Sequence, residues 1–247
     1  MKVLRLHRWD VSPAEAREIQ LRLRHRMERT DRLPRLRRVA GADVAFDLRE
    51  PGGWRRGHGR ALAGVVVYRF PEMEELERVS VARPLRFPYL PGLLSFRELP
   101  ALLAAFQRLR QAPDLIFCDG QGYAHPRRFG IACHLGVLLD RPTIGVAKSL
   151  LAGEYREPAA SAGSSAPLLD AESGELLGAV LRTREGVRPV FVSQGHRISL
   201  DRAVELTLAV SDGYRIPRPI RDADHFVGSL RRRPALPGAR LPPRRAR

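Results

Sequence analysis

The strongest constraint on the fold is an alternation of helical and strand-like segments between residues 95 and 148. SFRELPALLAAFQRLR has helical periodicity, PDLIFCD is an apolar strand, PRRFGIACHLGVLLD is again helical, and PTIGVAK is a second apolar strand. Strands joined by helical crossovers lie parallel, and apolar strands of this kind are buried on both faces. The region therefore predicts the centre of an α/β protein.

Three further strand-like segments precede this region and are joined by short, turn-like connections. They are RVAGADVAF at residues 38–46, GRALAGVVVYRF at 59–70 and ELERVSVARP at 75–84. Short connections join antiparallel neighbours, so these segments predict a meander. Three antiparallel strands followed by two parallel strands with helical crossovers is the order of the ribonuclease H-like fold, which is a nuclease scaffold.

Helix signals and composition predict the remaining elements. Ser12 and Glu15 form a capping-box pattern at the start of a helix of about 16 residues. Residues 152–175 are rich in Ala, Ser, Gly and Pro and predict a flexible loop. A hairpin from ELLGAVLRT and RPVFVSQG follows, then a helix with Ser199 as N-cap and a last helix in PIRDADHFVGSLRRR.

Length and charge indicate one domain with a polyanionic partner. A chain of 247 residues, 44% of them hydrophobic, can bury one sizeable core, which we place at residues 1–230. Residues 231–247 hold seven arginines and no acidic residue, and predict a disordered basic tail. The formal charge of +16 favours nucleic acid as the partner. Because the sequence has neither a membrane-spanning run nor a signal peptide, we expect a cytoplasmic protein without a membrane partner.

The cysteines and one histidine are expected to be structural. Cys118 and Cys133 lie in apolar surroundings and form no C-x-x-C pattern, so buried thiols are favoured over zinc ligands or a disulfide. His134 lies within an apolar helix, where a packed histidine bonded to a neighbour is the simpler explanation.

Two aspartates in apolar strands are the first candidates for chemistry. Asp43 lies in VAGADVAF, and Asp119 ends PDLIFCD, where an open sheet collects its ligands. A buried carboxylate is costly unless it is paired or binds a metal, although a turn or edge aspartate would also explain Asp43. Two acidic strand ends beside basic residues favour divalent metal ions that bind a phosphodiester, because oxygen ligands suit magnesium.

The glycines after Asp119 resemble the start of a dinucleotide-binding motif, G-x-G-x-x-G. We reject that interpretation because His125 replaces the third glycine and because Asp119 would repel the pyrophosphate.

Other polar candidates each have a structural and a functional explanation. Glu98 follows Ser95 by three residues, so it either completes a capping box or directs a carboxylate toward the Asp119 strand. Lys148 follows the second parallel strand and either contacts a phosphate or is an exposed lysine. The last helix offers a solvated polar face or one or two inward-pointing groups, from Asp222, Asp224 and His225.

The sequence closely resembles the endonuclease V family, the deoxyinosine 3′ endonucleases, in five segments that occur in the same order. They are VAGADVAF, FPYLPGLLSFRE, DLIFCDGQGYAHPRRFGIACHLG, PTIGVAKSLL and RIPRPIRDAD. The resemblance extends from LHRWD to the last helix. It implies a ribonuclease H-like fold and cleavage that depends on Mg²⁺, with Mn²⁺ as a substitute. The implied cut is at the second phosphodiester 3′ to a deaminated adenine and leaves 3′-hydroxyl and 5′-phosphate ends.

The resemblance also implies roles for individual residues. Asp224 matches a fourth metal-proximal position at which the family carries histidine or aspartate, and the adjacent His225 is an alternative. Lys148 matches a lysine near the reacting phosphate. The implied acidic metal-binding set is Asp43, Glu98 and Asp119, and these residues together with Lys148 form the implied catalytic set.

The segment PYLP matches a wedge motif that the family writes P-Y-I-P. Tyr89 would fill the space that a base leaves when it is extruded from the stack, although packing in the core is its other possible role. Hypoxanthine offers an acceptor at O6 and a donor at N1, which closely approaching backbone could read. The expected substrate-binding set is Pro88, Tyr89, Leu90, Pro91, Gly92, Gly120, Gly122 and His125.

The implied partner is double- or single-stranded DNA that contains deoxyinosine. Whether inosine-containing RNA is also cut stays open, and the motifs require no more than a monomer. Two alternatives remain at this point. One is another ribonuclease H-like nuclease, such as a junction resolvase, and the other is a basic nucleic-acid-binding protein whose carboxylates are structural.

Overall fold

The molecule is organised by a nine-stranded sheet in a computed structural model, which describes residues 1–48 and 59–232. The strands are β1 Arg38–Asp47, β2 Arg60–Arg69, β3 Glu75–Pro84, β4 Leu115–Asp119, β5 Thr143–Ala147, β6 Glu154–Tyr155, β7 Ser165–Leu169, β8 Leu176–Leu181 and β9 Val190–Gln194. The helices are α1 Pro13–Leu23, α2 Leu94–Arg108, α3 Ile131–Leu139, α4 Leu200–Ala209 and α5 Arg218–Arg232, with a 3-10 turn at Arg24–Arg26. The strand order is β3-β2-β1-β4-β5-β9-β8-β7-β6.

The half of the sheet that carries the site has the predicted arrangement. Strands β1, β2 and β3 form an antiparallel meander, whereas β4 lies parallel to both β1 and β5. The ribonuclease H-like order is therefore confirmed. The predicted hairpin of β8 and β9 is antiparallel, as expected.

The core lies on both faces of the sheet, because alternate residues of each buried strand point to opposite sides. Ile116 and Cys118 of β4 pack toward α2 and α3, while Leu115 and Phe117 pack with residues of α4 and α5. Cys118 and Cys133 are buried and unpaired, as predicted. No helix in residues 1–48 and 59–232 is long and apolar enough to cross a membrane.

Helix α5 lies directly on β1 and β2, because glycines face it. A Cβ atom at Gly41 would stand 1.9 Å from the carbonyl oxygen of Pro219, and one at Gly64 would stand 2.5 Å from Val227 Cγ1. No side chain larger than hydrogen fits at these two contacts while α5 stays where it is.

The predicted N-caps at Ser12 and Ser199 are confirmed. Ser12 Oγ accepts from the backbone of Glu15, and the Glu15 side chain accepts from the Ser12 backbone, which completes the capping box. Helix α1 has 11 residues rather than about 16, because its end tightens into the 3-10 turn. Ser199 caps α4 as predicted.

Two predictions for local structure were wrong. The helix after β4 begins at Ile131 rather than at residue 126, because Arg128 has a φ of +57° and cannot continue a helix. Residues 152–175 contain β6 and β7 rather than a flexible loop, since β7 pairs with β8 and buries Leu168. Helix α5 extends to residue 232, two residues into the segment expected to form the tail, and residues 233–247 lie outside the described residues.

Candidate active site

Asp43 and Asp119 are neighbours on parallel strands. The last paired residues of β1 and β4 are Ala42 and Cys118, so the two aspartates come next in register. Burial, helped by the negative charges of Asp119 and Asp224, raises the pKa of Asp43 to about 7, although a backbone hydrogen bond opposes the shift. Asp43 is thus a member of a group of neighbouring carboxyl groups rather than an isolated edge aspartate.

Glu98 belongs to the same cluster, and the capping-box explanation for it is wrong. Helix α2 begins at Leu94, so Ser95 lies inside the helix, and its hydroxyl bonds to Nδ1 of His134 at 3.1 Å. Glu98 is buried, and burial together with the charges of Asp43 and Asp119 holds the pKa of its carboxyl well above the usual range. Its carboxylate therefore faces the two aspartates instead of the helix start.

Lys148 is paired with the cluster, two residues beyond the point where β5 lies opposite Asp119. Its Nζ atom lies 2.5 Å from Oδ2 of Asp119. Burial alone would lower the pKa of Lys148, but the charges of Asp119, Asp224 and Asp43 overcome burial and raise it. Lys148 is therefore an ion-paired lysine of the site rather than a freely solvated one.

The polar residues of α5 divide between two tasks. Asp222 accepts a hydrogen bond of 2.6 Å from the Tyr68 hydroxyl and lies 3.4 Å from Arg218 Nε, so it fixes the helix to β2. Asp224 is exposed, and its charge acts on both Asp43 and Lys148. His225 is exposed beside it. Asp224 is the member of this group whose charge reaches the carboxylates.

The opposite side of the cleft is formed by the PYLP segment, which joins β3 to α2. Tyr89 is 51% exposed at the rim, so it does not pack in the core. Leu90 is half-buried and packs against an apolar cluster that includes residues of α1, while Pro91 and Gly92 also line the cleft.

The loop between β4 and α3 forms the inner end of the cleft. Gly120 lines it directly, and the backbone N–H of Gly122 donates to Ser193 Oγ at 2.9 Å. His125 is only 3% exposed, and both of its ring nitrogens have hydrogen-bond partners within the protein. His125 therefore holds backbone in place at the cleft and does not offer a free nitrogen to a ligand.

Gln20 is a cleft residue that the sequence analysis did not single out. It lies on α1 and is 1% exposed, although its neighbours on that face, Ala16, Ile19 and Leu23, are apolar. The only local signal was a polar residue within the buried stripe of an amphipathic helix. Such a residue requires buried partners, but the sequence does not identify them.

The carboxylates fit a hard divalent cation by their chemistry. Asp43, Glu98 and Asp119 bring three oxygen-donor groups together, their charges help to raise the pKa of Asp43 and of Glu98, and a cation would relieve that repulsion. Within the described ranges, no three acidic, histidine or cysteine side chains are already arranged around a single point. Lys148 instead holds one oxygen of Asp119.

The strand order and the carboxylates at the edge of β1 and β4 define a protein of the ribonuclease H-like class. Residues 21–225 match the family model of Endonuclease V. The chain belongs to the endonuclease V family, and this membership identifies it as a nuclease.

Relatives and solved structures cover nearly the whole chain. Endonuclease V of Gloeobacter violaceus is 47% identical over 232 residues, which are 93% of this chain and 90% of that protein. The crystal structure of the Bacillus subtilis endonuclease V superposes with a TM-score of 0.85 at 31% identity, covering 94% of this chain and 97% of that one. Ciona intestinalis endonuclease V, in complex with a 24mer DNA containing an inosine followed by a ribo-adenosine, superposes with a TM-score of 0.75 at 29% identity. That match covers 88% of this chain and 96% of the Ciona chain.

Proposed function

We propose that the protein is a DNA repair endonuclease that recognises deoxyinosine. It hydrolyses the second phosphodiester bond 3′ to the lesion in a magnesium-dependent reaction and leaves 3′-hydroxyl and 5′-phosphate ends. The observation that carries the proposal is the cluster of Asp43, Glu98 and Asp119 around Lys148 at one end of the cleft. The Ciona relative, which was crystallised with inosine-containing DNA, supports the substrate class.

The chain's own residues account for the charge balance of the reaction. Asp43, Glu98 and Asp119 would hold Mg²⁺, with Asp224 nearby on α5. When bound, the ion polarises the scissile phosphate and makes an attacking water more acidic. A cation on Asp119 would compete with Lys148, whose ammonium group would then be free to pair with a phosphate oxygen.

Recognition requires the altered base to leave the helical stack, since a duplex hides its hydrogen-bonding edge. Tyr89, exposed at the rim beside Pro88 and Pro91, is placed to fill the gap in the stack. The cleft, of about 360 Å³, is large enough for a small ligand, and Gly92 and Gly120 line it. Backbone there can favour an O6 acceptor and an N1 donor over adenine, which has the reverse pattern, and guanine must be excluded by its additional amino group.

A nicking assay on end-labelled substrates tests the proposal. The substrates are a plain duplex, the same duplex with one deoxyinosine, a four-way junction, and a strand with inosine in RNA. We expect magnesium-dependent nicking of the deoxyinosine strand at the second bond 3′ to the lesion, with none in chelator. The RNA strand measures the preference between DNA and RNA. Cleavage of the plain junction instead would favour a resolvase, and binding without cleavage of any substrate would favour a non-catalytic protein.

A further inference from the structure

The carbonyl group of Gly92 accepts three hydrogen bonds, one more than its two lone pairs ordinarily hold. The donors are Gln20 Nε2 at 3.1 Å, His125 Nε2 at 2.9 Å and Arg127 Nη2 at 2.6 Å. Gly92 has a φ of +76°, and a Cβ atom there would stand 2.7 Å from Arg127 Nη2. The carbonyl therefore fixes the end of the PYLP segment three residues after Tyr89.

Gln20 uses its whole amide group at this point. Its Nε2 atom donates to the carbonyl oxygens of Gly92 and Phe129, both at 3.1 Å, while its Oε1 atom accepts from Arg127 Nε at 2.6 Å. Rotating the amide by half a turn would place oxygen against two carbonyl oxygens, so only one orientation is compatible with these contacts. A buried side chain with this pattern joins three segments of the chain: α1, the PYLP segment and the loop after β4.

His125 is also held in one state. Its Nδ1 atom accepts from the backbone N–H of Arg127 at 3.1 Å, so the ring proton is on Nε2, which donates to Gly92. Burial and the adjacent Arg127 lower the pKa of His125 to about 4, which keeps the ring neutral. The three donors thus form a fixed set around one acceptor.

The loop after β4 is a rigid support for this set. The backbone N–H groups of Gly122 and Tyr123 donate to Ser193 Oγ and the Gln194 carbonyl, and Gly130 donates to the Gly122 carbonyl. These bonds attach the loop to the end of β9. The PYLP segment, in contrast, presents Tyr89 to solvent. Through its hydrogen bonds, Gln20 therefore connects the rigid loop to the segment that carries the exposed Tyr89.

We propose that Gln20 is a positioning residue for base recognition, which acts by holding the Gly92 carbonyl and so setting the place of Tyr89 at the rim of the cleft. The inference rests on the proposed function, in which Tyr89 fills the gap left by an extruded base. It assigns to α1 a part in discriminating lesions within duplex DNA.

A double-mutant cycle tests this proposal. Gln20→Leu keeps the side-chain volume but removes all three hydrogen bonds. It should lower kcat/KM on a deoxyinosine duplex by about tenfold, mainly through KM, and change a deoxyinosine single strand much less. Like Gln20→Leu, Tyr89→Ala should lower kcat/KM on the deoxyinosine duplex much more than on the deoxyinosine single strand. In the double variant the two losses should not add, because both act through the same segment.

Two further variants keep the test decisive if Gln20→Leu folds poorly. Gly92→Ala disturbs the same carbonyl from the PYLP side and should reproduce the duplex-selective loss. Gln107→Leu, on the exposed side of α2, is the matched control and should behave as wild type. Equal losses on duplex and single strand, or additive losses with Tyr89→Ala, would overturn the role of Gln20. A wild-type protein that ignores deoxyinosine would instead overturn the proposed function.

Discussion

The two sides of the cleft differ in how completely their polar groups are satisfied. On the carboxylate side, defined by Asp43, Glu98 and Asp119, like charges stand together, and burial and repulsion raise the pKa of Asp43 and of Glu98. On the amide side, defined by Gln20 and His125 around the Gly92 carbonyl, each donor has an acceptor.

This difference indicates which side changes when a ligand arrives. Any cation that neutralises the carboxylates stabilises the carboxylate side. The geometry of this side therefore depends on what is bound. On the amide side the donors of Gln20 and His125 are already paired within the protein, so this side keeps its shape. A lesion-specific nuclease needs both properties, because the metal must be able to enter while the base is compared with a fixed template.

Removing a carboxylate should have the largest effect. Asp43→Ala and Asp119→Ala are each expected to lower magnesium-dependent nicking by about a thousandfold or more, because in the proposed mechanism each removes a metal ligand. Binding of deoxyinosine DNA should remain largely intact, since phosphate contacts are retained. Single-turnover nicking and a gel-shift assay measure the two quantities separately.

A metal-binding readout sharpens this prediction without relying on turnover. Magnesium should raise the thermal midpoint of the wild type and leave that of Asp119→Ala unchanged, because a ligand stabilises the state that binds it. Asp201→Ala, at an exposed position in the first turn of α4, serves as the control for loss of an acidic residue. Substantial turnover by Asp43→Ala in saturating magnesium would show that the assignment is wrong.

Removing the Tyr89 side chain, the proposed wedge, should have the next largest effect. Tyr89→Ala is expected to weaken binding to a deoxyinosine duplex by about thirtyfold and binding to a deoxyinosine single strand only slightly, because only a duplex has a gap to fill. Fluorescence anisotropy on both substrates measures the ratio. A loss of the same size on both would mean that Tyr89 contacts the base itself.

Truncation after Leu230 should affect affinity but not discrimination. The removed segment carries seven arginines, and each phosphate neutralised contributes about −0.9 to the slope of log affinity against log salt. We expect the slope to become shallower by roughly two to four units, with plain and deoxyinosine duplexes affected alike. A salt series on both duplexes tests this. A selective loss for deoxyinosine would place part of the lesion recognition in the tail.

The smallest effect is expected for a substitution at His134, and it concerns the pH dependence of stability. Burial and the adjacent His7 hold the pKa of His134 well below 6.5, so the unfolded chain binds a proton more readily than the folded chain does. The contribution of neutral His134 to the free energy of unfolding is complete above pH 6.5. It declines by up to about 2 kcal/mol as the pH falls toward 5. His134→Asn should reduce the decline in the free energy of unfolding, measured with urea at pH 7, 6 and 5.

The control for this experiment is His25→Asn, at an exposed position in the 3-10 turn. It should leave the pH dependence unchanged. An unaltered decline in His134→Asn would assign the dependence to other buried histidines.

Much of the fold could be predicted because its signals are local. Apolar runs, the capping box at Ser12 and the short connections between β1, β2 and β3 each act over a few residues. The ordered part of residues 152–175 was missed because β7 depends on pairing with β8, and the small residues around it carry little strand preference of their own.

The site was predictable where a residue is unusual for its surroundings, and not where its meaning depends on a distant partner. Asp43 and Asp119 are carboxylates in apolar strands, which is sufficient to identify them as candidates. Glu98 could not be resolved from its neighbours, because the choice between a cap and a cleft residue depends on where α2 begins and on His134, 39 residues from Ser95. Gln20 was missed for the same reason.

Gly41 has no side chain, yet its close contact with the backbone of α5 influences the electrostatics of the cleft. Helix α5 is a stiff rod that carries Asp224, and it lies against β1 only because Gly41 leaves room for the Pro219 carbonyl. A methyl group there would act as a spacer and lift the rod, and Asp224 would move away with it. Because interaction between charges weakens with distance, Asp43 would become more acidic. The acid strength of the cleft is therefore set in part by a position whose close contacts are to the backbone of α5.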